Sequence, residues 1–302
     1  MARRSPQLRD EQGRPYGLLG LFEAFDREGA VRELLAAAAA WLREDPADPA
    51  GPVVGPMDGD TWHRYRINVG PFHEPPFLLE PYNPPYYGRL WESAGFHVLE
   101  RYYSTRVETE RVVAHWASRA RVVAAAGYRI RTLDLKRFEE ELRLLHRLSR
   151  VIFAGNFLYT EIPEDEFLAL YAGSRPILDP GLVSFALGPD GGEVGFLFNY
   201  PDRFRAVAAM KGERGLLARL RFLAHYRQAE AVNIKTLGVL PEHRRSGIGG
   251  ALIHFGHRAA LDRGYFVSNH CLFKEGNPSS RLDGGAGRPL RTYHLYQLGG
   301  AA

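Results

Sequence analysis

The residue types best suited to chemistry stand together in the last third of the chain: Arg244, Arg245, Ser246, Gly247, Ile248, Gly249 and Gly250, the run RRSGIGG. The residues before them carry Val232, Ile234, Leu237 and Val239 and stop at Pro241, which reads as a strand entering a turn. After them Ile248, Leu252, Phe255 and Ala259 recur at three- and four-residue spacing, one face of a helix. The first N–H groups of a helix have no internal acceptor, and glycines let backbone approach a bulky anion. Strand, glycine turn and helix start together therefore suit a diphosphate. The same residue types also suit an ordinary tight turn with solvated arginines, so the run alone leaves both readings open.

Other reactive side chains are sparse. His254 and His257 have a metal-ligand spacing on that helix, but no carboxylate completes a set and no metal is expected. Cys271 is the only cysteine; it excludes an internal disulfide, and its apolar run FVSNHCLF marks it as a buried bystander. A formal charge of +4 over 302 residues permits anionic ligands. It does not call for nucleic acid. The chain has no apolar run long enough to span a bilayer, and the start MARRSPQLRDEQG lacks the apolar core of a secretion signal. The expectation is a cytoplasmic protein with no membrane partner.

The surrounding pattern predicts what must hold these residues. Residues 1–15 read as an unpacked polar end. Gly17–Phe25 reads as a strand, residues 29–43 as a helix and VVGPM as a short strand; residues 58–70 look irregular. A proline- and tyrosine-rich connection from Pro71 precedes a short helix over 85–94. A strand follows over His97–Val107, then an amphipathic helix over 110–126 whose arginines read as a solvated face. The second half restarts with a strand at Tyr128–Leu133, a long helix to Arg150, a short helix from Glu164 and a hairpin over 180–187 and 193–199 around GPDGG. A polar segment, 201–215, and a basic stretch, LLARLRFLAHYR, lead to the strand at 231. Tyr265–Phe273 and Leu290–Leu298 read as the last strands. This is a mixed α/β layer order, with no GxGxxG fingerprint in a first βαβ unit.

The motif Arg244–Gly249, preceded by LGVLPEH and followed after the next strand by Asn277, Ser279 and Ser280, resembles that of the GCN5-related N-acetyltransferase superfamily, over roughly 129–298. The first half resembles a degenerate copy: GLLGLFEAFD and its helix are similar to the central strand and helix, and YYGRLWESAGFHVLERYYSTRV to the closing segment. Its turn places Asp26 and Glu28 where a diphosphate would sit, which like charge disfavours. The resemblance implies an acyl-CoA N-acyltransferase fold, a central mixed sheet flanked by helices and duplicated. It divides the chain into a partial domain over 14–107, a bridging helix over 108–127 and an acyl-CoA-binding catalytic domain over 128–302.

The resemblance also implies site residues. Leu237, Gly238 and Val239 would contact the pantetheine arm. The amides of Arg244, Arg245, Ser246, Gly247, Ile248, Gly249 and Gly250 would hold the diphosphate, with Asn277 and Ser280 nearby. The reaction expected is transfer of acetyl from acetyl-CoA to a primary amine by direct attack in a ternary complex. Glu193 and Glu230 are candidate bases. The family's usual acidic tyrosine after Asn277 is missing, which leaves Tyr293 as a displaced candidate acid. A noncatalytic CoA-binding or protein-interaction module, and a tandem aminoacyl- or peptidyl-transferring enzyme, are the alternatives. The acceptor would be a small amine or an amino terminus, and the aromatic first half allows a homodimer.

Overall fold

The computed structural model describes residues 1–175 and 178–299; the expected domain end at residue 302 lies outside them. One mixed sheet of 11 strands organises the chain. The first half contributes β1 (Ala2–Arg9), β2 (Pro15–Leu19), α1 (Glu28–Arg43), β3 (Val53–Gly55), β4 (Ile67–Gly70), α2 (Tyr87–Ser93) and β5 (His97–Glu108). Helix α3 (Thr109–Ala125) crosses to the second half. There follow β6 (Arg129–Thr132), α4 (Phe138–Phe153), α5 (Glu164–Ala172), β7 (Val183–Leu187) and β8 (Glu193–Pro201). The chain finishes with α6 (Phe204–Ala209), α7 (Leu216–His225), β9 (Ala231–Val239), α8 (Ile248–Leu261), β10 (Val267–Lys274) and β11 (Arg288–Leu298).

The strand order is β1-β2-β3-β11-β5-β10-β9-β8-β7-β6, with β4 beside β11. Two neighbours run parallel, β2 with β3 and β9 with β10. The closing strands are exchanged: β5, from the first half, pairs with β10, while β11, from the second, pairs with β3 and β4. The two strands also pair with each other, Tyr293 opposite Tyr102. Each half thus completes its sheet with a strand from the other.

The sheet is covered on both faces of the second half. Ile248, Leu252 and Ile253 of α8 and Val112 of α3 pack with Leu197, Val232 and Ile234. On the other face α4 packs Leu145, Leu148 and Ile152 against Phe185 and Phe196. In the first half Val31, Leu35 and Leu42 of α1 meet Leu90 and Trp91 of α2 and Tyr296 of β11. Burying each such side chain stabilises by about 1.5–3 kcal/mol.

Four stretches differ from the sequence expectation, the first being the strand read over Gly17–Phe25, which runs Pro15–Leu19 and gives way to irregular backbone. The polar N-terminus is a strand: β1 pairs with β2, the Met1 ammonium donates to the Gly20 carbonyl (2.8 Å), and Ser5 is buried. Its arginines and Pro6 suit an edge strand that need not donate to a further neighbour. Residues 58–70 contain β4, whose Ile67 sits opposite His294. The polar segment 201–215 includes the short helix α6.

Candidate acyl-CoA site

The central feature is a fork between β9 and β10. Their parallel pairing starts at Ala231/Val267 and ends at Ile234/His270, although the strands continue to Val239 and Lys274. Two irregularities produce the divergence. Against β8, Asn199 pairs with Ile234 and Phe198 with Thr236, so Lys235 is an extra, bulged residue. Against β5, β10 shifts register between His270 and Phe273, where Leu272 adopts φ +62°. A bulge bends its strand and re-aims side chains, which makes a gap where regular strands would zip shut. The backbone of Leu237–Val239 lines that gap.

At the far end of β9 the chain enters the glycine turn. Gly247 has φ +87°, a left-handed conformation that favours glycine, and it immediately precedes α8. The Ser246 hydroxyl donates to the His243 carbonyl (2.8 Å) and accepts from the Ile248 amide (3.1 Å). The amides of Arg244 and Ser246 donate to the carbonyls of Pro241 and His243. Those of Gly249 and Gly250 stand at the helix start, where no intrahelical acceptor exists. Arg244 turns back, donating to the carbonyls of Ile152 (2.9 Å) and Val239 (3.3 Å). It braces β9 against α4 and leaves Arg245, which is exposed, as the turn's outward cation.

The three glycines are not equivalent. A Cβ on Gly247 would meet Arg119 Cδ at 2.6 Å, and one on Gly250 would meet Trp116 Cε3 at 2.3 Å. A Cβ on Gly249 would find its nearest neighbours, Leu237 and Val239, at 3.7 Å. Gly250 is therefore needed for α3 to approach α8, whereas nothing in the protein's own packing requires glycine at 249. The absent side chain there leaves room for a ligand, and the donor set fits a diphosphate. Trp116 also donates its indole N–H to the Leu282 carbonyl (2.9 Å). This ties the turn containing Asn277 and Ser280 to the same side of the site; the Asn277 carboxamide accepts from the Ser279 amide (3.0 Å).

The expected proton-transfer groups do not converge. Glu193 accepts from Arg131 (3.2 Å) and sits by the end of β9 that meets the glycine turn, since Gly195 pairs with Val239. Five residues of strand, roughly 16 Å, separate that end from the fork. Glu230 is exposed at the opposite end, before β9 begins. Tyr293 is fully buried in β11, donating to Glu80 (2.5 Å) and sharing a 3.1 Å hydrogen bond with Ser104. Burial, then the Glu80 carboxylate, pushes its hydroxyl far above the usual tyrosine range. Glu80 in turn pairs with buried Arg291 (2.8 Å), which also donates to the carbonyls of Pro71, Glu74 and Pro75. The proline-rich connection is thereby fastened to β11, and Tyr293 belongs to that fastening.

Several residues at the site carried no recognisable sequence signal. Lys235, half-buried at the bulge, is a titratable group at the fork, with the buried Cys271 thiol beside it; burial and then Arg66 pull its ammonium down to about 8. Arg66, itself buried, stacks on Tyr65 and Tyr102 at 4.0 and 4.2 Å and donates to the Leu272 carbonyl (3.3 Å). Arg119 reaches the glycine turn from α3. His257 and His270 meet Nε2 to Nε2 at 3.1 Å beneath the fork, and desolvation drives both well below the usual histidine range. His254 bonds the Val113 carbonyl instead (3.0 Å). The one cue available was Lys235, the single charged residue of β9.

Outside the fork, Asp60, His63 and Glu166 bring potential ligand atoms within 4.8 Å of one another. Asp60 already accepts from the Trp62 and His63 amides and bonds the His63 ring. No helix among the described residues is long and apolar enough to cross a membrane.

No family model matches the chain. It is 25% identical over 256 residues to the bacterial ceramide synthase of Caulobacter vibrioides, covering 83% of this chain and 65% of that protein. It is 22% identical over 254 residues to protein YghO of Escherichia coli, covering 80% and 62%. The chain thus spans less than two thirds of the length of these curated relatives. Among solved structures it is similar to the GCN5-related glucosamine N-acetyltransferase region of a fungal multi-domain beta-N-acetylglucosaminidase, with TM-score 0.53 and 14% identity over 96% of this chain and 32% of that one. It is also similar to a GCN5-related N-acetyltransferase from Sphaerobacter thermophilus, with TM-score 0.50 and 16% identity over 93% and 72%. With its two parallel strand–helix–strand units, its forked central strands and its glycine turn at a helix start, the chain has a tandem GCN5-related N-acetyltransferase fold.

Proposed function

We propose that this chain is an N-acyltransferase that moves an acyl group from coenzyme A to a primary amine. The observation carrying the reading is the conjunction of the fork with a glycine turn whose Gly249 is left open. The diphosphate would rest on the amides of Gly247, Gly249 and Gly250 with Arg245 and Arg119 beside it, and the pantetheine arm would follow Leu237–Val239 toward the fork. The thioester carbonyl would then reach Lys235. The amine nitrogen attacks that carbonyl carbon, the C–S bond breaks, and coenzyme A leaves as thiolate. Neutral Lys235 takes the proton lost by the amine and returns it to the sulfur, a role suited to an ammonium held near 8. Glu193 and Glu230, at the two ends of β9, would reach the fork only through a relay of several waters. The split into domains at 107 and 128 is part of this proposal, with the exchanged strands β5 and β11 binding the halves together.

Acetyl is the reference acyl group, but the likeness to a protein named for ceramide synthesis favours a longer one. Ceramide is the amide of a fatty acid with a long-chain amino alcohol, so that relative supports a fatty acyl donor and a long-chain amine acceptor. The test is amine-dependent thiol release from acetyl-CoA and palmitoyl-CoA, with the amide identified by mass. Release with either donor supports the proposal, and the donor preferred sets the acyl length.

A second reading is a CoA-binding module without turnover. It is favoured by the 71–80 segment, where Phe77 is buried against Cys271 and Leu290 and the Leu78 carbonyl accepts from Tyr200 (2.8 Å). That packing covers the sheet face beside the fork. Acyl-CoA binding with no thiol release for any amine would select this reading, and no binding by folded protein would sink both.

A further inference from the structure

Helix α7, within the basic stretch between β8 and β9, displays its leucines to solvent. Leu216, Leu217, Leu220 and Leu223 are 76%, 58%, 55% and 64% exposed, while Ala218 is fully buried. At about 100° per residue, those four leucines fall within an arc of about 120°, with Arg219 and Arg221 about 40° beyond its two edges. The opposite side faces the protein through Ala218, Phe222 and Tyr226; the Tyr226 ring lies 3.7 Å from the Arg203 guanidinium. The inward side is thus anchored, and the apolar stripe points away from every core.

The charge around the stripe has one sign. Residues 203–228 hold seven arginines and lysines against a single carboxylate, Glu213, in a chain whose net charge is only +4. Glu213 accepts from Arg221 (3.2 Å). Lys211, Arg214, Arg219 and Arg227 are exposed. An apolar arc flanked by arginines is the pattern of a helix lying in a bilayer interface, leucines in the acyl boundary and guanidinium groups at anionic headgroups. A protein partner for four leucines would need no such excess of cations.

We propose that α7 docks this protein on the surface of an anionic lipid bilayer, without crossing it. The inference rests on the helix alone and stands independently of acyl transfer. A long-chain amine of the kind suggested above would reside in the same bilayer.

The test is co-sedimentation of the full chain with phosphatidylglycerol vesicles and with phosphatidylcholine vesicles, at low and high salt. Two variants accompany it, Leu216→Ser/Leu220→Ser/Leu223→Ser and Arg219→Gln/Arg221→Gln. All these side chains except Arg221 are exposed, and circular dichroism checks that both variants fold. The expected result is binding to phosphatidylglycerol that weakens with salt, with an apparent affinity that falls at least about tenfold in each variant. Failure to bind phosphatidylglycerol at low salt, or binding unchanged in the variants, overturns the proposal. Light scattering that finds a wild-type dimer and a monomeric triple-serine variant also overturns it, because a second copy would then cover the leucines.

Discussion

Two units of this chain share one plan, β2–α1–β3 and β9–α8–β10, each with its strands parallel and its helix between them. They differ at the turn and at the gap. The second unit enters its helix through left-handed Gly247 and open Gly249. The first enters through Arg27 in an extended conformation, flanked by Asp26 and Glu28, both paired with Arg89. Carboxylates of the protein itself thus occupy the positive end of α1. The gaps differ in the same sense. Beyond β2 the Met57 amide donates to the Leu19 carbonyl (2.8 Å) and Asp58 accepts from the Leu21 amide (2.6 Å), stitching the first unit shut. Beyond Ile234 and His270 the second unit stays open. One copy of the plan is closed by its own side chains and backbone, and the other keeps the open turn and gap on which the proposed ligand site rests.

The contrast can be strained at its structural joint. Glu80 and Arg291 link the 71–80 connection to β11, the strand that the second half lends to the first, and their side chains are 0% and 1% exposed. Glu80→Ala leaves a buried guanidinium unpaired and should cost about 3–5 kcal/mol in urea unfolding. Next in size, Gly250→Ala drives a methyl group into Trp116 and should cost about 1–3 kcal/mol. Its counterpart Gly29→Ala, in the first turn of α1, meets nothing within 4 Å. It should gain up to about 1 kcal/mol from helix propensity alone.

Lys235 distinguishes the open gap from the stitched one by pH. Its ammonium is pulled from the ordinary 10.5 to about 8, so between those values the unfolded chain binds more protons and stability rises with pH. Lys235→Met should raise the urea midpoint at pH 7, remove that rise and abolish turnover. In the wild type, thiol release should increase with pH and level off above about 8. Turnover that survives in Lys235→Met would return the proton-transfer role to Glu193 or Glu230.

Much of this architecture is written in short-range patterns. The periodicities of Val31–Leu42 and Ile248–Ala259 locate α1 and α8, and Gly-Pro-Asp-Gly-Gly locates the hairpin of β7 and β8. The glycine turn was legible because several amides and a positive φ need those residue types together. The exchange of β5 and β11 was not, since strand partners so distant in sequence leave no local mark. Nor was the role of Tyr293, fixed by a Glu80 that lies 213 positions away. Lys235 draws no reading from the sequence, because only the bulge places it at the fork. The stretch LLARLRFLAHYR reads only as basic, and the face its leucines present is shown by their exposure in α7.

The most direct test of the central claim is calorimetric titration of acetyl-CoA and palmitoyl-CoA into the wild type, Gly249→Ala and Gly29→Ala. The account predicts one site per chain, an affinity reduced about tenfold or more in Gly249→Ala, a change of roughly 1.4 kcal/mol, and no change in Gly29→Ala. Gly249→Ala should remain at least as stable as the wild type, so lost affinity cannot be ascribed to unfolding. Two sites per chain, or affinity lost in Gly29→Ala and kept in Gly249→Ala, would contradict it.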